Sequence, residues 1–132
     1  MEALGLLLED VRQQILREGG DGLRPSHYRV LSAVPADAGI TVTELAARVG
    51  MTKQGIGQFV TQLSEDGYLA TASDPRDGRA RIVRRTRLGN DAIGRLAVML
   101  EAVEADWAKR VGRRRYREFR VVLQEIAGVE PA

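Results

Sequence analysis

Cysteine is absent from this 132-residue chain, and histidine occurs once, at His27. The first absence removes disulfides, thiolate metal ligands and thiol redox switches. The second leaves too few ligands for a structural zinc site. No apolar run approaches the roughly 18 residues that a membrane-spanning helix needs. Four leucines lie between Met1 and Leu8, but acidic Glu2, Glu9 and Asp10 flank them and no basic stretch precedes them, unlike a secretory signal. These features predict a cytoplasmic chain with no membrane partner. Also missing are a nucleophile with a paired base, a cluster of metal ligands and a phosphate-cradling glycine loop. Catalytic residues, metal ligands and a cofactor are therefore not expected, and neither is an enzyme.

What is present is a length suited to one domain with its own core, and charge that is unevenly spread. The formal net charge is only +2. Residues 74–87 nevertheless hold six arginines (Arg76, Arg79, Arg81, Arg84, Arg85, Arg87) against Asp74 and Asp77, and residues 109–120 hold Lys109 and six arginines against Glu118. Residues 1–18 lean acidic through Glu2, Glu9, Asp10 and Glu18. A single charge run is usually a solvated face; two basic patches on a near-neutral chain point to a polyanion at one or both.

Hydrophobic spacing supplies the elements. Leu4, Leu7, Leu8, Val11 and Ile15 form one helical stripe, broken by Gly19-Gly20-Asp21-Gly22. Pro25 opens a second helix with His27, Val30, Leu31 and Val34 inward, and Pro35 ends it. Thr41-Val42-Thr43-Glu44 reads as a capping box before a short helix that stops at Gly50. Thr52 caps the next helix, whose inward side is Ile56, Phe59, Val60 and Leu63 and whose end is Gly67. Two short helices joined by a tight turn make a helix-turn-helix. Residues 71–73 and 80–83 pair as strands around a turn-rich tip, Asp74-Pro75-Arg76-Asp77-Gly78-Arg79, forming a wing. Ile93, Leu96, Leu100, Val103, Trp107 and Val111 then mark a long helix, Gly112 breaks it, and Tyr116, Phe119, Leu123 and Ile126 mark the last one.

The predicted fold is mainly α with a small β-hairpin wing, an α+β winged helix-turn-helix. Residues 1–24 form an N-terminal dimerisation helix, 25–87 the DNA-binding domain and 88–132 the C-terminal dimerisation helices. A winged helix this small cannot cover three terminal stripes, so the long terminal helices are expected to form an intertwined homodimer. The competing reading is a monomer that folds all three onto itself.

Residues 24–94 resemble the MarR (multiple antibiotic resistance regulator) family of winged-helix regulators. The similarity runs from Thr43-Glu44-Leu45-Ala46-Ala47-Arg48-Val49-Gly50-Met51-Thr52-Lys53-Gln54 through Leu63-Ser64-Glu65-Asp66-Gly67-Tyr68-Leu69. It is most specific in Asp74-Pro75-Arg76-Asp77-Gly78-Arg79-Ala80 followed by Thr86-Arg87-Leu88-Gly89. The chain departs from the family pattern at Arg85, where leucine is usual, at Gly55 and Gly57 within the recognition helix, and at Gln58, where arginine is common. The resemblance implies a repressor that binds a pseudo-palindromic operator as a homodimer. It also implies an effector pocket for a small phenolic or lipophilic compound, with His27, Tyr28 and Trp107 as candidate lining. Trp107 packing the dimer core and His27 buried as a core residue are the structural alternatives.

The expected partner is double-stranded DNA. Thr52, Lys53, Gln54, Gly55, Gln58 and Thr61 form the candidate reading face. Thr52 and Lys53 suit phosphate at a helix start, and Gln54 and Gln58, four residues apart, suit adenine in the major groove. Gly55 and Gly57 let the helix backbone sit close to DNA. Arg76 and Arg79 suit a minor groove. Asp77 is expected to hold Arg79 in a fixed rotamer, the role the family resemblance also implies. Arg81 and Arg84 are expected at phosphates. The 109–120 run is expected to meet the acidic first helix of a partner subunit. The alternative function is a winged-helix module that binds protein or RNA.

Overall fold

The computed structural model describes residues 2–19 and 21–130. Gly20, inside the predicted helix break, and Met1, Pro131 and Ala132, at the ends of the predicted dimerisation segments, lie outside the described residues. The elements run α1 (Glu2–Glu18), α2 (Pro25–Ala33), β1 (Ile40–Thr41), α3 (Val42–Val49), α4 (Lys53–Glu65), β2 (Leu69–Ser73), β3 (Arg81–Arg85), α5 (Arg87–Val111) and α6 (Arg113–Ala127). The three strands pair antiparallel in the order β1-β3-β2. The chain is thus mainly helical with one small sheet, as the sequence predicts.

Local chemistry explains the helix boundaries. Thr41 caps α3, its hydroxyl oxygen accepting from the Glu44 amide at 3.1 Å. The Glu44 carboxylate returns to that hydroxyl, at 3.1 Å, and not to the Thr41 amide that the predicted capping box requires. Thr41 is also the end of β1, paired with Ile82, so its backbone belongs to the sheet. Gly50 follows α3 with φ 73°, the left-handed conformation that a residue without Cβ adopts freely. Thr52 caps α4 by accepting from the Gly55 amide at 3.0 Å.

The core is built from α2, α3, α4 and β3, with Tyr28, Leu31, Leu45, Ile56, Leu63 and Val83 almost wholly excluded from solvent. One expectation shifts by one residue. On α2 the inward position is Tyr28, not His27. His27 is half-buried, and its Nδ1 accepts from the Arg24 amide at 2.9 Å, capping the helix. On α5 the buried line is Gly89, Ala92, Met99 and Val103, while Ile93, Leu96, Leu100 and Trp107 flank it half-buried and Val111 is exposed. The apolar band of α5 is wide, and the winged-helix core takes one edge of it.

The wing base is fastened by two residues, Thr86 and Arg85. Thr86 donates its hydroxyl to the Gly67 carbonyl (2.6 Å) and its amide to the Tyr68 carbonyl (3.2 Å), and it caps α5 by accepting from the Gly89 amide (3.1 Å). Arg85 donates Nε to the Leu31 carbonyl (2.9 Å) and Nη2 to the Ser32 carbonyl (3.2 Å). It thereby satisfies the open C-terminal end of α2, which a leucine there could not do.

A third tie joins α2 to α5. Asp21 accepts from the Tyr28 hydroxyl (3.0 Å), the Leu23 amide (3.1 Å) and Arg95 Nη2 (2.6 Å). Burial pushes the Asp21 carboxyl up, but Arg95, the Leu23 amide and Tyr28 together hold it below the ordinary carboxylate value. Burial and the Asp21 carboxylate push the Tyr28 phenol up to about 12. Because the folded Asp21 value is depressed, its stabilisation is complete above about pH 4 and is lost as pH falls through the folded value. Asp21→Asn is therefore expected to flatten the acid limb of stability. Thermal melts from about pH 5 to pH 2 check this: the gap between wild type and variant should close towards low pH.

Candidate nucleic-acid interface

The face of α4 opposite the core carries Thr52, Lys53, Gln54, Gln58, Thr61 and Gln62, all exposed. Ile56, Val60 and Leu63 are buried beneath them. Phe59, expected inward, is half-buried and meets the His27 ring edge-on at 5.7 Å between centroids. The outward face opens onto a concavity of about 910 Å³, lined by Lys53, Gln54, Gly57, Gln58 and Thr61 from α4, Val42 from α3, and Thr71 and Arg81 from the wing strands. One concave surface therefore joins the helix to the hairpin.

Strand alternation decides which wing arginines share this surface. Val83 is buried, so Arg81 and Arg85 lie on its side of the sheet and Arg84 on the other. Arg81 donates to the Thr71 hydroxyl at 2.7 Å and lines the concavity. Arg84 lies against Gly39, where a Cβ would sit 3.2 Å from its guanidinium carbon. Arg81 and Arg84, both expected at phosphates, are thus divided between two faces.

The wing tip is held by two aspartates. Asp74 Oδ1 accepts from the Arg76 amide at 2.9 Å and Asp77 Oδ1 from the Arg79 amide at 3.0 Å. Asp77 therefore fixes the backbone of Arg79, not its guanidinium as the sequence suggested. The spacing of two residues sets this: a short carboxylate reaches the amide two positions ahead in a turn. The guanidinium groups of Arg76 and Arg79 are exposed, and neither they nor Lys53 make an ion pair among the described residues.

The two recognition-helix glycines differ. Gly55 faces back towards the helix start, where a Cβ would come within 3.1 Å of the Thr52 hydroxyl and 3.3 Å of the Met51 methyl. Gly57 faces open space in the concavity. Gly55 is therefore part of the cap, and Gly57 is the glycine on the exposed face. Sequence spacing alone did not separate them.

A family profile described as the MarR family matches residues 21–80. The crystal structure of MarR is similar over 96% of this chain and 87% of that one, with 25% identity and a TM-score of 0.85. Residues 21–80 match the MarR family, and the fold of the chain is that of MarR. The HTH-type transcriptional regulator PetP of Rhodobacter capsulatus is 31% identical over 64 residues, which is 48% of this chain but only 39% of PetP. The repressor CouR bound to a 23-mer DNA duplex shares the fold at TM-score 0.76 and 22% identity, covering 96% of this chain and 87% of CouR. CouR from Rhodococcus jostii bound to p-coumaroyl-CoA gives 0.69 and 23%, covering 99% and 90%.

The three effector-pocket candidates do not converge. Tyr28 is sealed in the core and His27 is a helix cap. Trp107 lines a cavity of about 310 Å³, with Leu7, Val111, Tyr116 and Phe119 as its apolar wall and Arg110 and Arg115 at its edge. Its indole N–H lies 3.4 Å from Asp10 Oδ2. The basic run divides as well. Arg110 meets Asp10 of its own chain at 3.8 Å and Asp106 at 2.7 Å, and Arg120 meets Glu104 at 3.8 Å. The expected pairing with an acidic first helix therefore occurs, for Arg110, within one subunit. Among the described residues no group of three or more His, Cys, Asp or Glu could hold a metal ion.

Proposed function

We propose that this chain is a DNA-binding transcriptional regulator, a repressor, that engages a pseudo-palindromic operator as a homodimer. The single observation that carries this is the concave surface shared by the exposed side of α4 and the wing. On it Lys53, Gln54, Gln58 and Thr61 face a major groove, with exposed Thr52 at the start of α4. The Arg76 and Arg79 tip, oriented by Asp77, reaches a flanking minor groove. Arg81 and the open amides at the start of α4 meet phosphate.

Residues 25–87 form the reading unit, and residues 1–24 and 88–132 are the dimer arms. Two features support that division. Leu4 and Leu8 of α1 are 58% and 61% exposed, and Ile126 of α6 is 78% exposed. Apolar surface on this scale is costly in a free subunit and is removed by a second copy. Half-sites one helical turn apart, on the order of 10 bp, match two reading units related by a two-fold axis. A small effector with an apolar body and an anionic end fits the cavity beside Trp107, with Arg110 and Arg115 at its edge, and its binding releases DNA. The regulator works in the cytoplasm.

Fluorescence anisotropy on a selected duplex tests the reading. Affinity should fall as roughly the 0.9 power of salt for each phosphate contacted, and light scattering should give two chains per duplex. Equal affinity for single-stranded RNA, or no dependence on salt, would transfer the protein to the second reading, a winged-helix module for RNA or protein.

A further inference from the structure

We propose, granting the duplex-binding role above, that Gly57 is where the α4 backbone comes closest to base edges, and that the arginine-free row beside it selects A·T pairs at the centre of each half-site. Gly57 lies mid-helix with ordinary helical φ, so no turn calls for glycine there. A Cβ at this position would touch nothing within 4 Å, so no packing calls for it either. Its place on the concavity is the remaining constraint: a bare backbone admits another surface more deeply than alanine does. The carbonyl of Gly57 accepts from the Thr61 hydroxyl at 2.9 Å. That hydroxyl hydrogen is spent internally, and Thr61 presents lone pairs and a methyl group, the complement of an amino group or a thymine methyl.

Gln54, Gln58 and Gln62 stand four residues apart on the exposed side. Successive members are separated by about 6 Å along the helix, roughly two base-pair steps. A carboxamide offers one donor edge and one acceptor, which matches adenine N6 and N7. Guanine presents two acceptors and calls for a two-donor fork. Lys53 is the only cation within α4, and it sits in the first turn, where phosphate is favoured. At the wing tip, the exposed guanidinium groups of Arg76 and Arg79 fit the narrow minor groove of A·T tracts. Helix and wing therefore favour the same base composition.

The test is selection of duplexes from a random pool by the full chain, followed by anisotropy with wild type, Gly57→Ala and Gln58→Arg. A·T pairs should be enriched at two positions about two steps apart in each half-site. Gly57→Ala should keep or raise the melting temperature yet weaken the selected duplex about tenfold, while affinity for unrelated duplex changes by less than about threefold. Gln58→Arg should move one position to guanine. Selected sites with G·C at those positions, or a Gly57→Ala variant that binds like wild type, would overturn the proposal. A wild type that holds no duplex even at low salt removes the duplex-binding role itself, and this inference with it.

Discussion

Arg79→Ala is expected to weaken operator binding by about 1–3 kcal/mol, roughly ten- to a hundredfold, with no loss of thermal stability. The side chain is exposed at the hairpin tip and makes no ion pair among the described residues, so the fold does not depend on it. The tip is held by backbone contacts: the Arg79 amide to Asp77, the Arg76 amide to Asp74, and the Asp74 amide to the Ala80 carbonyl at 2.9 Å. Alanine keeps all of them. Holding the tip in advance lowers the ordering cost of inserting the guanidinium into a groove. Asp77→Ala should therefore also weaken binding, through a looser tip, while leaving the guanidinium in place. Anisotropy titrations beside melting curves check both variants. Unchanged affinity for Arg79→Ala would remove the wing from the interface.

Gly89→Ala is expected to destabilise the fold by about 1–3 kcal/mol and to lower the melting temperature by several degrees. A Cβ at Gly89 would lie 2.2 Å from the Tyr68 carbonyl oxygen and 3.2 Å from its carbon, and both are backbone atoms with little room to retreat. That carbonyl accepts the Thr86 amide, and Thr86 in turn caps α5 and holds the Gly67 carbonyl. Alanine therefore pushes apart the junction where the wing, the end of α4 and the start of α5 meet. Since α5 carries Arg95 to Asp21 and runs on to the last helix, the strain spreads beyond the site. Chemical denaturation of wild type and variant measures it, and a variant as stable as wild type would show that α5 slides freely at its first turn.

These two experiments probe the motif that was most specific in the sequence, and the structure gives several of its residues a task. Asp74 and Asp77 are backbone clamps, Arg76 and Arg79 make no ion pair among the described residues, Thr86 is a cap, and Gly89 is a point of close packing. The helix-turn-helix was legible for similar reasons. Thr41, Gly50 and Thr52 act through atoms three or four residues away, so their meaning is local. The third strand was not legible. Ile40 and Thr41 are too few to show a period, and they become a strand only because β3 lies alongside.

Side-chain direction on wide apolar helices was also hidden. His27 and Tyr28 are neighbours in sequence, and either could have faced inward. The choice fell to Tyr28 because its hydroxyl finds Asp21, whereas His27 finds the Arg24 amide at the helix start. The effector trio is scattered for the same reason: helical spacing says which residues share a face, not what that face meets.

The amino-acid order by itself determined the caps, the turns, the alternation of the hairpin and the family that these resemble, because those rest on interactions a few residues long. Only the tertiary structure decided that Arg81 and Arg84 part company, that Gly57 and not Gly55 lines the concavity, and that Arg85 closes the end of α2. Each of these depends on which distant element occupies the neighbouring space, and that is settled when the whole core packs.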